Sequence, residues 1–310
     1  MVDRGGTAER LPVEVICAPW SIGLRPDAAG AEPGTWAAPR TLLDAGLDRR
    51  LQAVTVTELP RPPYRFEAQP GTRVRNGVTL REHTLLLASA VGDAIGTGRL
   101  PVVVGGDCSV LLGCLLGARR HHEVALVHLD GHSDFTQPGH PGHPGAQGLA
   151  ALGTAAGTDL ALATGRGELL LTRWPGVDGP LVVDHLVVQL GDRTGEALPA
   201  GLLVIGIEEL LATGVPTAAT RAVDHLPGGS PLWVHVDLDV LDAAVLPAVD
   251  SPGTPGLTYD QLSELLARLR ATGRVVGVDV TIYDPHLDPE RAHPDAVVAC
   301  VAAGLLAGTA

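Results

Sequence analysis

Residues 124–135 read VALVHLDGHSDF, an apolar run that ends in carboxylate and imidazole side chains at every second position. Residues 232–239 read LWVHVDLD and repeat this arrangement. Since alternate residues of an extended chain point to the same face, each set of polar side chains is predicted to lie on one face of its strand. These side chains are Asp130, His132 and Asp134 in the first stretch and His235, Asp237 and Asp239 in the second.

Further apolar runs of similar length recur along the chain and alternate with segments rich in Ala and Leu. Nearly continuous apolar strands joined by helices are typical of a parallel sheet that is covered on both faces. Right-handed crossovers leave two architectures open, a doubly wound sandwich and a closed barrel. The other strand candidates are VEVICA (13–18), AVTVTEL (53–59), PVVVGG (101–106), LVVQLG (186–191), LLVIGI (202–207) and VVGVDVTI (275–282).

The segments between these strands are predicted to be helical. We find no low-complexity linker and no internal repeat, so residues 1–310 are interpreted as a single domain. The one unusual segment is QPGHPGHPGAQG at 137–148, which has the composition of a surface loop. The predicted helical stretches lie near 36–47, 80–97, 109–120, 148–165, 216–226, 258–271 and 294–308.

Composition excludes several classes of function. The chain carries 22 basic and 35 acidic side chains, giving a formal net charge of −13, whereas binding to nucleic acid phosphates needs a basic surface. The longest apolar run, residues 296–308, is shorter than the roughly 20 residues that span a bilayer. The charge and the short apolar runs therefore predict a protein that binds neither nucleic acid nor membrane. The four cysteines form no CxxC pattern and no signal segment is visible, which predicts a reduced, cytoplasmic protein.

The polar residues at 130–134 and 235–239 follow strands, and parallel sheets bind ligands at these strand ends. Converging Asp carboxylates would repel each other, and desolvating each of them would cost several kcal/mol. Divalent cations offset both penalties, and carboxylates with one or two imidazoles suit a pair of such ions. A metal pair also acidifies a bound water. The alternative interpretation is that these Asp residues cap helices or pin loops.

Several ordered motifs make the sequence resemble the ureohydrolase family, the arginases, agmatinases and their relatives. The motifs are ICAPWSIGLRP (16–26), GTWAAPRTLLDAGL (34–47), GGDCS (105–109), DGHSDF (130–135), HVDLDVLDAAVLPAVDSPGTPGLT (235–258) and VVGVDVTIYDP (275–285). The resemblance implies a three-layer α/β/α sandwich around an eight-stranded, mostly parallel sheet, a dinuclear manganese site and hydrolysis of a C–N bond. The ligands it implies are Asp130 and Asp237 for both ions, Asp134 and Cys108 for one ion, and His132 and Asp239 for the other.

Cys108 stands where the family pattern has His. A thiolate is a competent ligand but a softer one than imidazole, so it favours Zn, Fe or Co more than a site of nitrogen and oxygen ligands does. Four carboxylates and a thiolate set five negative charges against the four positive charges of two divalent ions. A water between the ions is therefore predicted to be less acidic than it would be with His. The alternative is a buried Cys108 that packs and binds no metal.

Two further departures concern the substrate. Ile282 stands where arginases and agmatinases have a Glu that pairs with the substrate guanidinium, and an apolar side chain cannot make that contact. Asp279 and Asp284 lie nearby, but either is explained equally well by a structural role. Ala156 stands where arginases have a His that shuttles protons. We therefore expect L-arginine and agmatine to be poor substrates.

Other histidines are the candidates for acid–base catalysis, because imidazole titrates near neutral pH. His235 is in phase with Asp237, and it is predicted to orient a ligand, relay protons or contact substrate. His143 and His140 lie in the 137–148 loop and could swing toward the site. The alternative is that both loop histidines are simply solvated.

The sequence predicts a metal-dependent hydrolase that attacks a trigonal carbon of a guanidino, amidino, formimidoyl or amide group and expels an amine. Its cofactor is predicted to be two divalent ions, manganese first, with zinc, iron or cobalt as alternatives. Two other functions stay open: an amide deacylase on the same fold, and a metal-binding protein of this fold that does not catalyse. The expected partners are a small-molecule substrate and, from the resemblance, further copies of the chain in a trimer or hexamer.

Overall fold

Eight parallel strands form one sheet at the centre of the protein. The computed structural model describes residues 11–135 and 153–307. The strands are β1 (Val13–Ala18), β2 (Thr55–Glu58), β3 (Leu100–Gly105), β4 (Ala125–Leu129), β5 (Val187–Leu190), β6 (Leu203–Ile205), β7 (Leu232–Asp237) and β8 (Val275–Thr281). All eight predicted strands are confirmed, and their order across the sheet is β2-β1-β3-β8-β7-β4-β5-β6. The sheet ends at β2 and β6, so the sandwich is confirmed and the barrel is excluded.

Helices follow most of the strands. Each predicted helical stretch contains a helix, although residues 148–152 of one stretch lie outside the described residues. Short helices such as α6, with four residues, carry too little periodicity to be predicted. No helix in the described ranges is both long and apolar enough to cross a bilayer. The helices are α1 (Ala38–Asp44), α2 (Leu47–Leu51), α3 (Gly77–Gly96), α4 (Val110–Ala118), α5 (Asp159–Ala163), α6 (Leu169–Thr172), α7 (Ile207–Thr213), α8 (Val215–His225), α9 (Tyr259–Ala271) and α10 (Pro294–Leu306).

The helices pack in two groups, which form the outer layers of the sandwich. Helices α3, α4, α5 and α6 contact one another, and α1, α2, α7, α8, α9 and α10 form a second continuous group. The central strands β3, β4 and β7 are buried at every residue, so both faces of the sheet are covered. This burial explains why these strands read as nearly unbroken apolar runs.

The turn after β3 is fixed by contacts with the first loop of the chain. A Cβ atom on Gly106 would lie 1.5 Å from the carbonyl oxygen of Trp20, so only glycine fits at this position. The Asp107 carboxylate accepts hydrogen bonds from the backbone N–H groups of Gly23 (2.8 Å) and Ser109 (2.9 Å). These contacts hold Cys108, between Asp107 and Ser109, at the carboxyl end of the sheet.

Candidate metal centre

Six side chains predicted to bind metal lie together at the carboxyl ends of β3, β4 and β7, and we call them the cleft cluster. Ligand atoms of Asp130, Asp237 and Asp239 lie within 4.8 Å of one another, and those of Asp130, His132 and Asp134 do the same. These strands are close in the sheet because β4 pairs with β7, and β8 lies between β7 and β3. The cleft cluster consists of Cys108, Asp130, His132, Asp134, Asp237 and Asp239.

Backbone N–H groups orient the carboxylates at the end of β7. Asp237 Oδ1 accepts a hydrogen bond from the N–H of Asp239 (2.6 Å), and Asp239 Oδ1 accepts one from the N–H of Gly131 (2.9 Å). The second oxygens point to other members of the cluster: Asp237 Oδ2 lies 2.7 Å from Cys108 Sγ, and Asp239 Oδ2 lies 2.8 Å from His132 Nδ1. Each carboxylate is thus held by the backbone and presents its other oxygen to the cluster.

The loop after β4 is held in a comparable way. Asp130 Oδ1 accepts a hydrogen bond from the N–H of His132 (2.6 Å). The Gln189 side chain donates hydrogen bonds to the carbonyl oxygens of Asp130 (3.2 Å) and His132 (2.9 Å), which fixes the loop against β5. Asp134 has a φ of 45°, which is uncommon for a residue other than glycine. Asp130 Oδ2 is buried and has no hydrogen-bond partner among the described residues.

Two acids of the cleft cluster, Asp134 and Asp237, are in an environment that disfavours their charged forms. Burial raises the pKa of Asp134 well above its ordinary value, and the nearby Asp130 and Asp159 raise it further. Burial, with Asp239 and Asp130, does the same for the pKa of Asp237.

The pKa values of the thiol and of the imidazole of the cluster are both raised. The pKa of Cys108 is well above its ordinary value because of burial and the Asp237 carboxylate. Hydrogen bonds with Asp130 and Asp239 raise the pKa of His132 to about 11. A divalent cation would replace the protons that these groups otherwise hold, and the buried, unpartnered Asp130 Oδ2 is a free ligand atom for it. The donor set of oxygen, nitrogen and sulfur atoms therefore fits divalent metal.

A cleft opens above the cluster. All members of the cluster except Asp130 line it. Ala156 and Ile282 also lie in its wall, and Arg25 and Asp250 add a positive and a negative side chain. The cleft therefore brings metal-binding groups, an apolar wall and two opposite charges into contact with one small space.

Comparison with known proteins identifies the family. The family model described as the arginase family matches residues 12–307. The chain belongs to the arginase family. Members of this family are hydrolases of C–N bonds other than peptide bonds, which confirms the predicted enzyme class. The arginase of Bacillus caldovelox is 26% identical over 302 residues, covering 93% of this chain and 96% of that protein. Arginase-1 of Rattus norvegicus is 25% identical over 294 residues, covering 89% and 85%.

Solved structures show the same fold. The arginase structure from Bacillus caldovelox superimposes with a TM-score of 0.79 and 24% identity, over 96% of this chain and 98% of that one. The proclavaminate amidino hydrolase of Streptomyces clavuligerus superimposes with a TM-score of 0.67 and 23% identity, over 96% and 91%. The predicted arginase-like sandwich is confirmed by these two neighbours.

In this arginase-family chain, the two positions that were predicted to depart from the family's substrate pattern both line the cleft. Ile282 is 3% exposed, and its N–H donates a hydrogen bond to the carbonyl oxygen of Gly106 (2.7 Å). Its φ of 72° is a strained conformation for a β-branched residue. Ala156 is also 3% exposed, and its N–H donates to the carbonyl oxygen of Gly23 (3.1 Å). Neither position presents a titratable group to the cleft.

The acids near Ile282 have structural contacts. Asp284 accepts hydrogen bonds from the N–H groups of Gly34 (2.9 Å) and His286 (2.8 Å). Asp279 is fully buried and accepts a hydrogen bond from Trp233 Nε1 (2.5 Å). Neither acid lines the cleft, so neither one replaces the missing Glu.

Of the two predicted catalytic histidines, only His235 lies within the described residues. His235 is fully buried, its Nδ1 lies 2.5 Å from Asp279 Oδ2, and it does not line the cleft. This location favours a positioning role over contact with a substrate, and its predicted catalytic role stays a prediction. His143, like His140, lies outside the described residues.

Sequence reasoning missed three side chains that adjoin the cleft cluster. Thr281 Oγ1 lies 3.2 Å from Cys108 Sγ. His128 and Asp159 are buried below the cluster, where they meet His235, and we call His128, Asp159 and His235 the deep cluster. His128 was detectable in the sequence because it lies two residues before Asp130 and hence on the same face of β4.

Proposed function

We propose that this chain uses a pair of divalent metal ions to cleave a C–N bond in a small molecule with a guanidino, amidino or formimidoyl group, and that L-arginine is not its preferred substrate. The observation that carries the proposal is the cleft. Its floor is formed by five of the six members of the cleft cluster, and its wall has Ile282 and Ala156 at the positions where the family pattern has a Glu and a His.

The ligands would be divided between the two ions as the family pattern implies. Asp130 and Asp237 would bridge both ions, with Asp134 and Cys108 completing one and His132 and Asp239 completing the other. The short Cys108–Asp237 and His132–Asp239 contacts support this division, since each joins two residues assigned to the same ion. Manganese is the expected metal, and the Cys108 thiolate makes zinc, iron or cobalt a credible replacement.

The chain's own residues then orient the ligands and shape the cleft. The bound ions would supply an acidified water as nucleophile. Backbone N–H groups hold one oxygen of each of Asp130, Asp237 and Asp239, so these carboxylates keep their positions while the substrate changes. The substrate carbon would meet the ions beside Ile282. With Ala156 unable to carry a proton, the amine that leaves has to obtain its proton from the substrate or from another group.

The apolar wall disfavours a guanidinium. One charge-assisted pair in a desolvated site is worth about 1.5–3 kcal/mol. At about 1.4 kcal/mol for each factor of ten, its loss costs roughly 10- to 150-fold in transition-state stabilisation. Absence of a proton shuttle at Ala156 subtracts about 100-fold or more. A scissile group that carries less positive charge than arginine's, or that brings its own proton donor, avoids both losses.

The test is a panel of substrates assayed on protein of known metal content. Purified protein loaded with Mn²⁺ or Zn²⁺ is given guanidino, amidino and formimidoyl compounds, and urea, ammonia and amine release are measured. We expect turnover of a member with a weakly charged scissile group and little urea from L-arginine. A kcat/KM for L-arginine within the usual enzyme range of roughly 10⁴–10⁸ M⁻¹s⁻¹ would overturn the substrate proposal.

Ile282 also favours a second candidate, an amide deacylase on the same fold. An apolar wall beside the metal-binding groups accommodates an acyl chain as readily as it rejects a guanidinium. Adding N-acyl amines to the panel separates the two functions, because a deacylase releases a carboxylic acid and no urea. A protein that holds two ions and turns over nothing in either set of compounds would be the non-catalytic metal-binding protein.

We also propose that the protein works in the cytoplasm as a homo-oligomer, a trimer or a hexamer. The family resemblance supports the oligomer, and four free cysteines support a reducing compartment. Light scattering coupled to size-exclusion chromatography measures the mass in solution, and a monomer at micromolar concentration would contradict the oligomer.

A further inference from the structure

The deep cluster lies directly below the cleft cluster, with His128 of β4 and His235 of β7 two residues before Asp130 and Asp237 along the chain. His128 on β4 and His235 on β7 are neighbours in the register of the two strands. Their rings stack with centroids 4.7 Å apart and planes 21° apart. Asp159 begins α5 and reaches both rings from the helical layer. All three side chains are fully buried, and none of them lines the cleft.

The separations within the deep cluster are close to the spacing of ligands around a metal ion, with one inside the tetrahedral range and two slightly beyond it. His128 Nε2 lies 3.3 Å from Asp159 Oδ1, and His235 Nε2 lies 3.8 Å from Asp159 Oδ2. Asp130 Oδ2, from the cleft cluster, lies 3.7 Å from His128 Nε2. Two ligand atoms that are each about 2.0–2.2 Å from a tetrahedral ion lie about 3.3–3.6 Å from each other. For both Nε2 atoms to bind one ion, the stacked rings have to rotate, because the lone pair of each nitrogen lies in the plane of its ring. After that rotation, two imidazoles and two carboxylates surround the ion.

Three of these atoms lack any other partner. His235 Nε2, Asp159 Oδ2 and Asp130 Oδ2 are buried and make no hydrogen bond within the described ranges. Buried polar atoms are almost always satisfied, because leaving one without a partner costs free energy. An ion bound between the three atoms would satisfy all of them at once.

His235 is held in the orientation that metal-binding histidines adopt. Its Nδ1 lies 2.5 Å from Asp279 Oδ2, and Asp279 Oδ1 in turn accepts a hydrogen bond from Trp233 Nε1 (2.5 Å). A carboxylate that binds one imidazole nitrogen fixes the ring so that the other nitrogen points at the metal. In this chain the other nitrogen is Nε2, which points into the deep cluster.

The balance of charge points the same way. With Cys108 as thiolate, the cleft cluster has five negative charges against the four positive charges of the proposed metal pair. Asp159 and Asp279 add two buried carboxylates directly below it. Ionised, and counted with the Arg193 guanidinium 4.0 Å from Asp239, these groups leave the region at −2 with two divalent ions, and a third ion brings it to zero. Buried charges that are not compensated are strongly destabilising, so a further cation is favoured.

We propose that the deep cluster is a third, structural metal site, closed to substrate, in which zinc is bound by His128, Asp159 and His235 and shares Asp130 with the cleft. Two imidazoles and two carboxylates suit zinc in tetrahedral geometry, and the absence of an open position is typical of a structural site. Asp130 belongs to both proposed sites, whereas Asp159 belongs to the deep cluster alone, so a change at Asp159 tests this site separately from the catalytic proposal.

The first experiment counts zinc in matched variants. Wild-type protein is stripped with a chelator, reloaded with excess Zn²⁺, desalted and analysed by elemental mass spectrometry. Asp159→Asn removes a ligand charge with little change of shape. Its control is Asp288→Asn, the same change at a buried carboxylate that accepts a hydrogen bond from Tyr283 and belongs to neither cluster. We expect about three ions per chain in wild type and in Asp288→Asn, and about two in Asp159→Asn.

Other numbers of zinc ions per chain would separate the deep site from the proposed metal pair. One ion in wild type that is lost in Asp159→Asn supports the deep site and contradicts the metal pair. Two ions in both wild type and Asp159→Asn would overturn the deep site and leave the pair intact. In that case His235 is a structural residue held by Asp279.

A second measurement needs no variant, and it decides the matter if Asp159→Asn does not fold. Crystals of the zinc-loaded wild-type protein give an anomalous difference map at the zinc absorption edge. A peak about 2.0–2.1 Å from His235 Nε2 and between His128 and Asp159 supports the site. A map with peaks in the cleft cluster and none in the deep cluster would overturn it.

Discussion

The cleft cluster and the deep cluster both include residues at the carboxyl ends of β4 and β7, with the deep residues two positions earlier along the chain. The two clusters differ in how their side chains are held. The carboxylates of the cleft cluster are oriented by backbone N–H groups of the loops that carry them, as with Asp130 and Asp237. The deep cluster consists of strand and helix residues that contact other side chains, and Asp279 and Trp233 hold His235 in place. The cleft cluster, which solvent reaches, can exchange its ions and ligands. The deep cluster lies inside the protein, so changes in it are expected to affect the stability of the fold.

Loss of a bridging carboxylate should have the largest effect on metal content and activity, and this effect should be confined to the cleft cluster. Asp237→Ala removes a ligand that both ions of the proposed pair would share, so we expect most of the pair to be lost and activity to fall by more than about 100-fold. Metal analysis and the substrate panel measure both effects. Asp260→Ala, at an exposed position in the first turn of α9, is the control. Retention of both cleft ions in Asp237→Ala would refute the bridging assignment.

Loss of the acid that supports the deep cluster should act on stability instead. Asp279→Ala leaves Trp233 Nε1 and His235 Nδ1 without their partner, and breaking a buried charged pair costs about 3–5 kcal/mol. Urea unfolding of metal-free protein measures the change. Asp237→Ala serves as the contrast, because it relieves repulsion and we expect it to leave metal-free stability unchanged or higher. Equal losses of unfolding free energy in the two variants would contradict the proposed difference between the cleft cluster and the deep cluster.

The wall of the cleft should control which substrates react. Ile282→Glu restores a carboxylate next to the cleft cluster, and we expect kcat/KM for guanidino substrates to rise by about 10- to 150-fold. Ile282→Gln has nearly the same shape without the charge and is the matched control. Gains of the same size in both variants would mean that the guanidinium is not recognised through a charged pair.

Exchange of the thiol should change the choice of metal rather than its amount. Cys108→His replaces a soft ligand by a harder one, so we expect two ions in the cleft and a preference shifted toward Mn²⁺ over Zn²⁺ by several-fold. Competition between the two metals at fixed total concentration provides the measurement. Cys114→Ser, at a fully buried cysteine of α4, is the control for cysteine loss. An unchanged preference in Cys108→His would leave Cys108 with a packing role.

The smallest expected effect is a pH dependence of the metal-free protein. The pKa values of Asp134 and Asp237 are raised in the folded state, so the folded state binds more protons and loses stability as pH rises above the ordinary value of 3.8. The pKa of His132, raised from 6.5 to about 11, contributes stability that is complete below pH 6.5 and is lost as pH rises through 11. Between about pH 5 and pH 9 both effects act in the same direction.

Thermal unfolding tests this sign. The Tm of chelator-treated protein should fall by a few degrees from about pH 5 to about pH 9, and the fall should be smaller after reloading with metal, because bound cations offset the carboxylate repulsion. A Tm of the metal-free protein that rises over this range would contradict the raised pKa values.

The fold was largely predictable because its strands are buried on both faces. A run such as PVVVGG at 101–106 contains no polar residue, so it lacks the alternation of polar and apolar faces that an exposed helix shows. The strand β3 ends at Gly105, within one residue of the end of this run. The helix α7 was missed because its first residue, Ile207, reads as the last residue of the apolar run before it. The periodicity of a seven-residue helix is too weak to separate the two.

The candidate site was predictable where its residues follow one another along a strand. The alternation of Asp130, His132 and Asp134 places them together by geometry alone. Asp159 escaped prediction because it reaches His128 from the start of a short helix, after a loop that no local pattern describes. The left-handed backbone at Ile282 is equally invisible, since nothing in the letters TIYDP suggests a residue that glycine or asparagine would occupy more comfortably.

That left-handed residue has an evolutionary consequence. A β-branched side chain at a φ of 72° costs about 1–3 kcal/mol, and the surrounding contacts, including the bond from its N–H to Gly106, maintain it. The backbone at this position is thus set by its neighbours and not by the residue that occupies it. Natural selection can therefore exchange the side chain at Ile282 through a single codon, and so reassign the chemistry of the cleft without rebuilding the loop that presents it.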